Sequence, residues 1–69
     1  MISNYTVTGM TCGHCVGAVT EEVSGIEGVS DVQVKLEGGT MAVTSAQAVD
    51  FEAIKAAVAE AGNYAVQPA

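Results

Sequence analysis

Basic residues are nearly missing from this sequence: Lys35 and Lys55 stand alone against eight acidic residues, for a formal net charge of −6. Phosphate backbones are gripped by clustered Lys and Arg, so nucleic acid is excluded as a partner. Such acidity keeps a small protein soluble, and a protein partner drawn to it would be basic. Long apolar runs are missing too. Almost half of the residues are apolar (49%), yet no run exceeds a stretch such as Ala56 to Ala59. Crossing a bilayer takes about 20 apolar residues, so direct membrane insertion is excluded. Met1 leads into Ser3, Asn4 and Thr6 without the basic start or apolar core of a secretory leader, and a cytoplasmic setting is expected.

Tryptophan is absent, histidine and proline occur once each, and cysteine occurs twice. Two cysteines do not make the disulfide framework of a small secreted domain. In a reducing cytosol a C-x-x-C pair reads instead as metal-binding or catalytic, with reduced thiols. A chain of 69 residues supports one small domain, here taken as 1–69, which buries only about 60% of its unfolded surface.

What the chain does have is hydrophobic periodicity of two kinds. Tyr5 and Val7 alternate with Asn4, Thr6 and Thr8, which predicts a strand from Ser3 to Thr8. Val16, Val19, Val23 and Ile26 recur at helical spacing, which predicts a helix over Gly13 to Ser24 that stops at Gly25. A second strand is expected over Val29 to Leu36, burying Val32, Val34 and Leu36. Glu37-Gly38-Gly39 then reads as a hairpin turn into a third strand, Thr40 to Thr44, burying Met41 and Val43. Asp50 is a good N-cap for a helix over Phe51 to Ala61, with Phe51, Ile54, Val58 and Ala61 on one stripe and Gly62 at its end. Tyr64 to Gln67 makes a last strand before Pro68. The order is βαββαβ. Right-handed crossovers put both helices on one face of a four-stranded antiparallel sheet, a ferredoxin-like α/β sandwich. Its other face, with Thr6, Thr8, Gln33, Lys35, Ala42 and Thr44, is expected to be wet.

All of the sulfur and imidazole chemistry then falls in one stretch, Gly9-Met10-Thr11-Cys12-Gly13-His14-Cys15. Cys12 lies just before the first helix and Cys15 in its first turn, where unpaired N–H groups and the helix dipole favour negative sulfur. Two thiolates with no other strong ligand nearby suit a soft ion of low coordination number, and Cu(I) above other biological metals. A structural zinc site needs four ligands, and this chain offers at most Cys12, Cys15 and His14. The competing chemistry is a dithiol oxidoreductase, which also places C-x-x-C at a helix start. Thr11 stands where such enzymes usually carry tryptophan, and the only proline lies at the end of the chain rather than facing the site.

At these residues the chain resembles the heavy-metal-associated domain family, which includes soluble copper chaperones of bacterial type and the metal-binding domains of P-type copper ATPases. The resemblance spans essentially the whole chain. It rests on the Gly9 to Cys15 motif, the valine-rich helix after it, Gly28-Val29 and Ala61-Gly62. It implies a carrier rather than an enzyme: Cu(I) held near-linearly by Cys12 and Cys15 and passed by ligand exchange to a copper-handling protein such as a P-type copper ATPase. It also implies a monomer, or two copies bridged by the metal. A cut-out domain of a soft-metal ATPase is the alternative, and Ag(I) is a further soft ion the same sulfurs would accept. Bacterial members usually place tyrosine directly after glycine, whereas this chain reads Gly62-Asn63-Tyr64. Tyr64 is therefore either the family's tyrosine beside the metal loop or a strand residue at the sheet edge. Met10 is expected to pack. His14 is either an exposed residue at the helix start or a modulator of the site. Of the two thiols, Cys12 is expected to be the more exposed and the more acidic, its sulfur accepting from N–H groups as an N-cap oxygen would, with Cys15 nearer the core.

Overall fold

In the computed structural model, which describes residues 1–69, the elements follow the expected order. They are β1 (Ile2–Thr8), α1 (Gly13–Ser24), β2 (Val29–Lys35), β3 (Thr40–Ser45), α2 (Phe51–Ala61) and β4 (Ala65–Pro68), with a 3-10 turn at Glu37–Gly39 between β2 and β3. The sheet order is β2-β3-β1-β4, with every neighbouring pair antiparallel.

Alternation along the strands decides which face is covered. Tyr5 pairs with Met41, Val7 with Val66, and Val32 with Val43, so these side chains rise on one side of the sheet. Val19 and Val23 from α1 and Ile54 and Val58 from α2 close over them in a single buried cluster. Both helices therefore lie on that face. Asp50 caps α2 through its carboxylate, which accepts the Glu52 N–H at 3.2 Å, and Phe51 stacks on Tyr5 with ring centroids 6.1 Å apart. On the bare face Thr8, Gln33 and Lys35 are exposed, while Thr6, Ala42 and Thr44, on the two central strands, are half-shielded.

The departures from expectation are local. Leu36 does not end β2 facing the core. Its backbone turns helical to open the 3-10 turn, and its side chain is left 41% exposed. Tyr64 precedes β4 rather than starting it, and Pro68 is inside β4, paired with Tyr5. β4 is an edge strand, where a missing N–H can face water.

The topology sorts the loops between two poles. The β1–α1 loop, the β2–β3 turn and the α2–β4 loop share one pole, and the α1–β2 and β3–α2 loops share the other. The cysteine loop and Gly62-Asn63-Tyr64 are thus brought together by strand direction alone.

Candidate metal centre

β1 ends at Thr8, and the chain must turn sharply before α1 can fall back across the sheet. Gly9 makes that turn with φ of +100°, a conformation open to glycine. A side chain there would also have no room: a Cβ built on Gly9 would lie 3.1 Å from the Asn63 carbonyl oxygen and 3.3 Å from Cδ1 of Tyr64. The second loop is therefore packed directly on the first. There Asn63 sits in a tight turn in which the Tyr64 N–H donates to the Gly62 carbonyl at 2.9 Å. Gly62 lies under the tyrosine ring, its built Cβ only 2.9 Å from Cε2. Tyr64 accordingly packs on the cysteine loop, ahead of the sheet edge.

Cys12 is the N-cap residue of α1 and exposed, and Cys15 is half-buried in the first turn; both are free thiols. The Cys12 carbonyl accepts from the Cys15 N–H at 3.0 Å and from the Val16 N–H at 3.4 Å, which fixes the pitch that turns both side chains the same way. Their sulfurs stand 3.9 Å apart.

The relative exposure of the two thiols is as expected, but the hydrogen-bond donors expected around Cys12 are not found there. The Cys12 side chain makes no capping hydrogen bond, so its sulfur does not draw on the orphan N–H groups. The donors gather on Cys15 instead. The Thr11 backbone N–H contributes most, followed by the Tyr64 hydroxyl, the Thr11 hydroxyl at 3.7 Å and the Cys12 N–H, while burial opposes them weakly. Together they bring the Cys15 thiol down from the ordinary 9.0 to about 6. The same contact raises the Tyr64 phenol: donating to Cys15 holds its proton, with burial and the negative charge of Cys15 and Cys12 adding to the effect.

Thr11 is the residue whose role sequence reasoning misses: it counts there as part of the motif and as standing in place of a tryptophan, although its position four residues before Cys15 puts the two on one side of the helix start. Met10 is half-buried against the core, as expected. His14 is exposed and does not join the two sulfurs, since nowhere in the chain do three His, Cys, Asp or Glu side chains converge. The site thus presents two soft ligands and stops there, a donor set that fits neither four-coordinate zinc nor a hard cation. No helix is long and apolar enough to cross a membrane.

Comparison with known proteins gives a consistent set of likenesses. The sequence model of the heavy-metal-associated domain matches residues 4–63. The chain is 41% identical over 64 residues to Copper-transporting ATPase 1 of Rhizobium meliloti (strain 1021), which covers 90% of this chain and 8% of the ATPase. It is 46% identical over 37 residues to the copper chaperone CopZ of Staphylococcus aureus (strain bovine RF122 / ET3-1), covering 54% of each. The chain thus spans about half of that chaperone and a small part of the ATPase. Among solved structures, a CopZ metallochaperone superposes with a TM-score of 0.87 at 32% identity, covering 97% of this chain and 100% of the other.

Proposed function

Since the chain belongs to the heavy-metal-associated domain family and is a metal-binding carrier rather than an enzyme, we propose that it carries one Cu(I) between the sulfurs of Cys12 and Cys15 and surrenders it by ligand exchange. The observation that carries this reading is the pair of free sulfurs 3.9 Å apart with no third ligand. With the zinc–thiolate bond of about 2.3 Å as a yardstick, a linear unit spans about 4.6 Å, so the sulfurs, 3.9 Å apart, need part by less than about 1 Å to seat an ion between them. Thiolate softness and a coordination number of two select Cu(I), with Ag(I) as a competitor.

Transfer follows from the asymmetry of the two sulfurs. Cys12 is exposed and makes no capping hydrogen bond, whereas Cys15 is half-buried with the Thr11 hydroxyl 3.7 Å away and the Tyr64 hydroxyl on its side of the site. An incoming thiolate from a partner bonds to copper, the Cys12–copper bond breaks first, and a second partner thiolate then displaces Cys15. Each exchange swaps one sulfur for another and leaves copper as Cu(I), with no electrons moved. Tyr64 and the packed Gly9 turn shield the Cys15 side from water and adventitious ligands. The partner is a copper-handling protein met in the cytosol, such as the soluble metal-binding domain of a P-type copper ATPase. Support for this comes from the likeness to Copper-transporting ATPase 1.

That likeness also supports a second reading, in which the same fold serves as the metal-binding domain of a pump. The size of the native product, read by immunoblot of cell extracts, separates a free carrier from a domain. The site itself is tested by anaerobic Cu(I) titration against a competing chelator, with the mass of the complex recorded. One copper per chain, lost in the Cys12→Ser, Cys15→Ser double variant, is expected. Tight one-to-one binding retained by that variant refutes the assignment.

A further inference from the structure

The pole opposite the cysteine loop carries a groove of about 490 Å³ between the α1–β2 loop and the chain entering α2. Its floor is apolar, from Ile26, Val49 and Ala53, each half-buried, and its rim holds the carboxylates of Glu27 and Asp50. Neither Lys35 nor Lys55 lines it, and these are the only basic side chains available. One wall is the irregular segment Ala46–Asp50. There the Ala46 N–H is bonded to the Gly28 carbonyl, but the N–H groups of Gln47, Ala48, Val49 and Asp50 have no backbone acceptor.

Each wall asks for something different from an occupant. The carbonyls of Gln47 and Asp50 are already taken, by the Ser45 hydroxyl and by the first turn of α2, but the free N–H groups can be met by the carbonyls of another extended chain. A small apolar floor takes one or two aliphatic side chains. Carboxylates on the rim, in a chain of net charge −6, attract Lys or Arg and repel acidic peptides. We propose that this groove docks an extended peptide segment of a partner protein in which basic and aliphatic residues alternate. The main chain of the segment runs along residues 47–50, an aliphatic side chain rests on Ile26, Val49 and Ala53, and its basic side chains reach Glu27 and Asp50. Because groove and cysteines are at opposite poles, a partner can hold the carrier by such a segment while its own thiolates exchange copper at the other end. The docking itself does not depend on the metal reading.

The probe is the acetylated and amidated peptide KVKLK, titrated into the metal-free protein labelled with nitrogen-15, with amide shifts followed. Saturable shifts confined to residues 26–28 and 46–53 are expected, with no response to the acidic peptide EVELE. Glu27→Lys, in an exposed loop where the fold is not at stake, should weaken binding by about fivefold or more at low salt. The charge-matched control Glu60→Lys, on α2 away from the groove, should leave it nearly unchanged. Absence of saturable shifts overturns the proposal, as does equal weakening by both variants, which marks diffuse attraction to an acidic surface. Shifts at the same residues on raising the protein concentration alone would make a second copy the occupant and also overturn it.

Discussion

Replacing Gly9 by alanine should cost more than any other single methyl group added to the metal loop. The backbone there has φ of +100° and a built Cβ falls 3.1 Å from the Asn63 carbonyl oxygen and 3.3 Å from the Tyr64 ring. Holding a non-glycine residue in that conformation costs about 1–3 kcal/mol. Relief by backbone relaxation is limited because the nearest atom is itself backbone, so about 2 kcal/mol is a fair central figure for the whole substitution. In a domain of this size each kcal/mol moves the midpoint by about 4–8 °C, so melting should fall by roughly 8–16 °C. Gly13→Ala is the internal control. A Cβ at Gly13, the first residue of α1, meets nothing within 4 Å, and alanine there should be neutral or stabilising by up to about 1 kcal/mol. Both variants are melted metal-free and reduced, by circular dichroism. A Gly9→Ala midpoint within about 2 °C of the parent, or equal losses at both glycines, would refute the account of two loops packed on one another.

The remaining predictions concern the thiols and the core. In a Cys12→Ser variant, alkylation of Cys15 should follow a titration with its midpoint near the value of about 6 that its donors impose; a midpoint at the ordinary thiol value contradicts the site as described. Because the folded-state pKa lies below the unfolded 9.0, the Cys15 thiolate contributes stability that is fully present above pH 9 and is lost as pH falls through about 6. Metal-free melting should therefore rise between these pH values and lose that rise in Cys15→Ser. Tyr64→Phe removes one donor, so the Cys15 midpoint should move up and copper should pass faster to a competing dithiol; an unmoved midpoint assigns the tyrosine to packing alone. Ile54 is fully buried, and Ile54→Ala should cost about 2–5 kcal/mol, a large share of the stability of so small a domain, and lower its metal-free melting temperature steeply. A cooperative melt at the parent temperature would refute that.

The two periodicities made the framework readable before any coordinates, and both helix ranges stand as the spacing placed them. Val19, Val23, Ile54 and Val58 are buried because helical spacing stacks them on one stripe, and Tyr5, Val7, Met41 and Val43 because a strand alternates. Leu36 broke the pattern since alternation says nothing about where a turn begins, and two glycines after Glu37 let the chain leave β2 one residue early. The spacing of the cysteines marked the candidate site, but the placing of hydrogen-bond donors around them did not follow from it. Cys12 holds the N-cap backbone position without the N-cap hydrogen bond, and the donors that favour Cys15 include a hydroxyl from Tyr64, forty-nine residues away in sequence, reached only through the packing of the α2–β4 loop on Gly9. A contact made by tertiary packing leaves no local pattern to read.

The most direct test of the central claim is copper K-edge X-ray absorption on the protein loaded anaerobically with one equivalent of Cu(I). Two sulfur neighbours at a single short distance, with no nitrogen scatterer, are predicted from a pair of thiolates that meets no third ligand. Three or more sulfurs around copper, or the signature of the His14 imidazole, would contradict it.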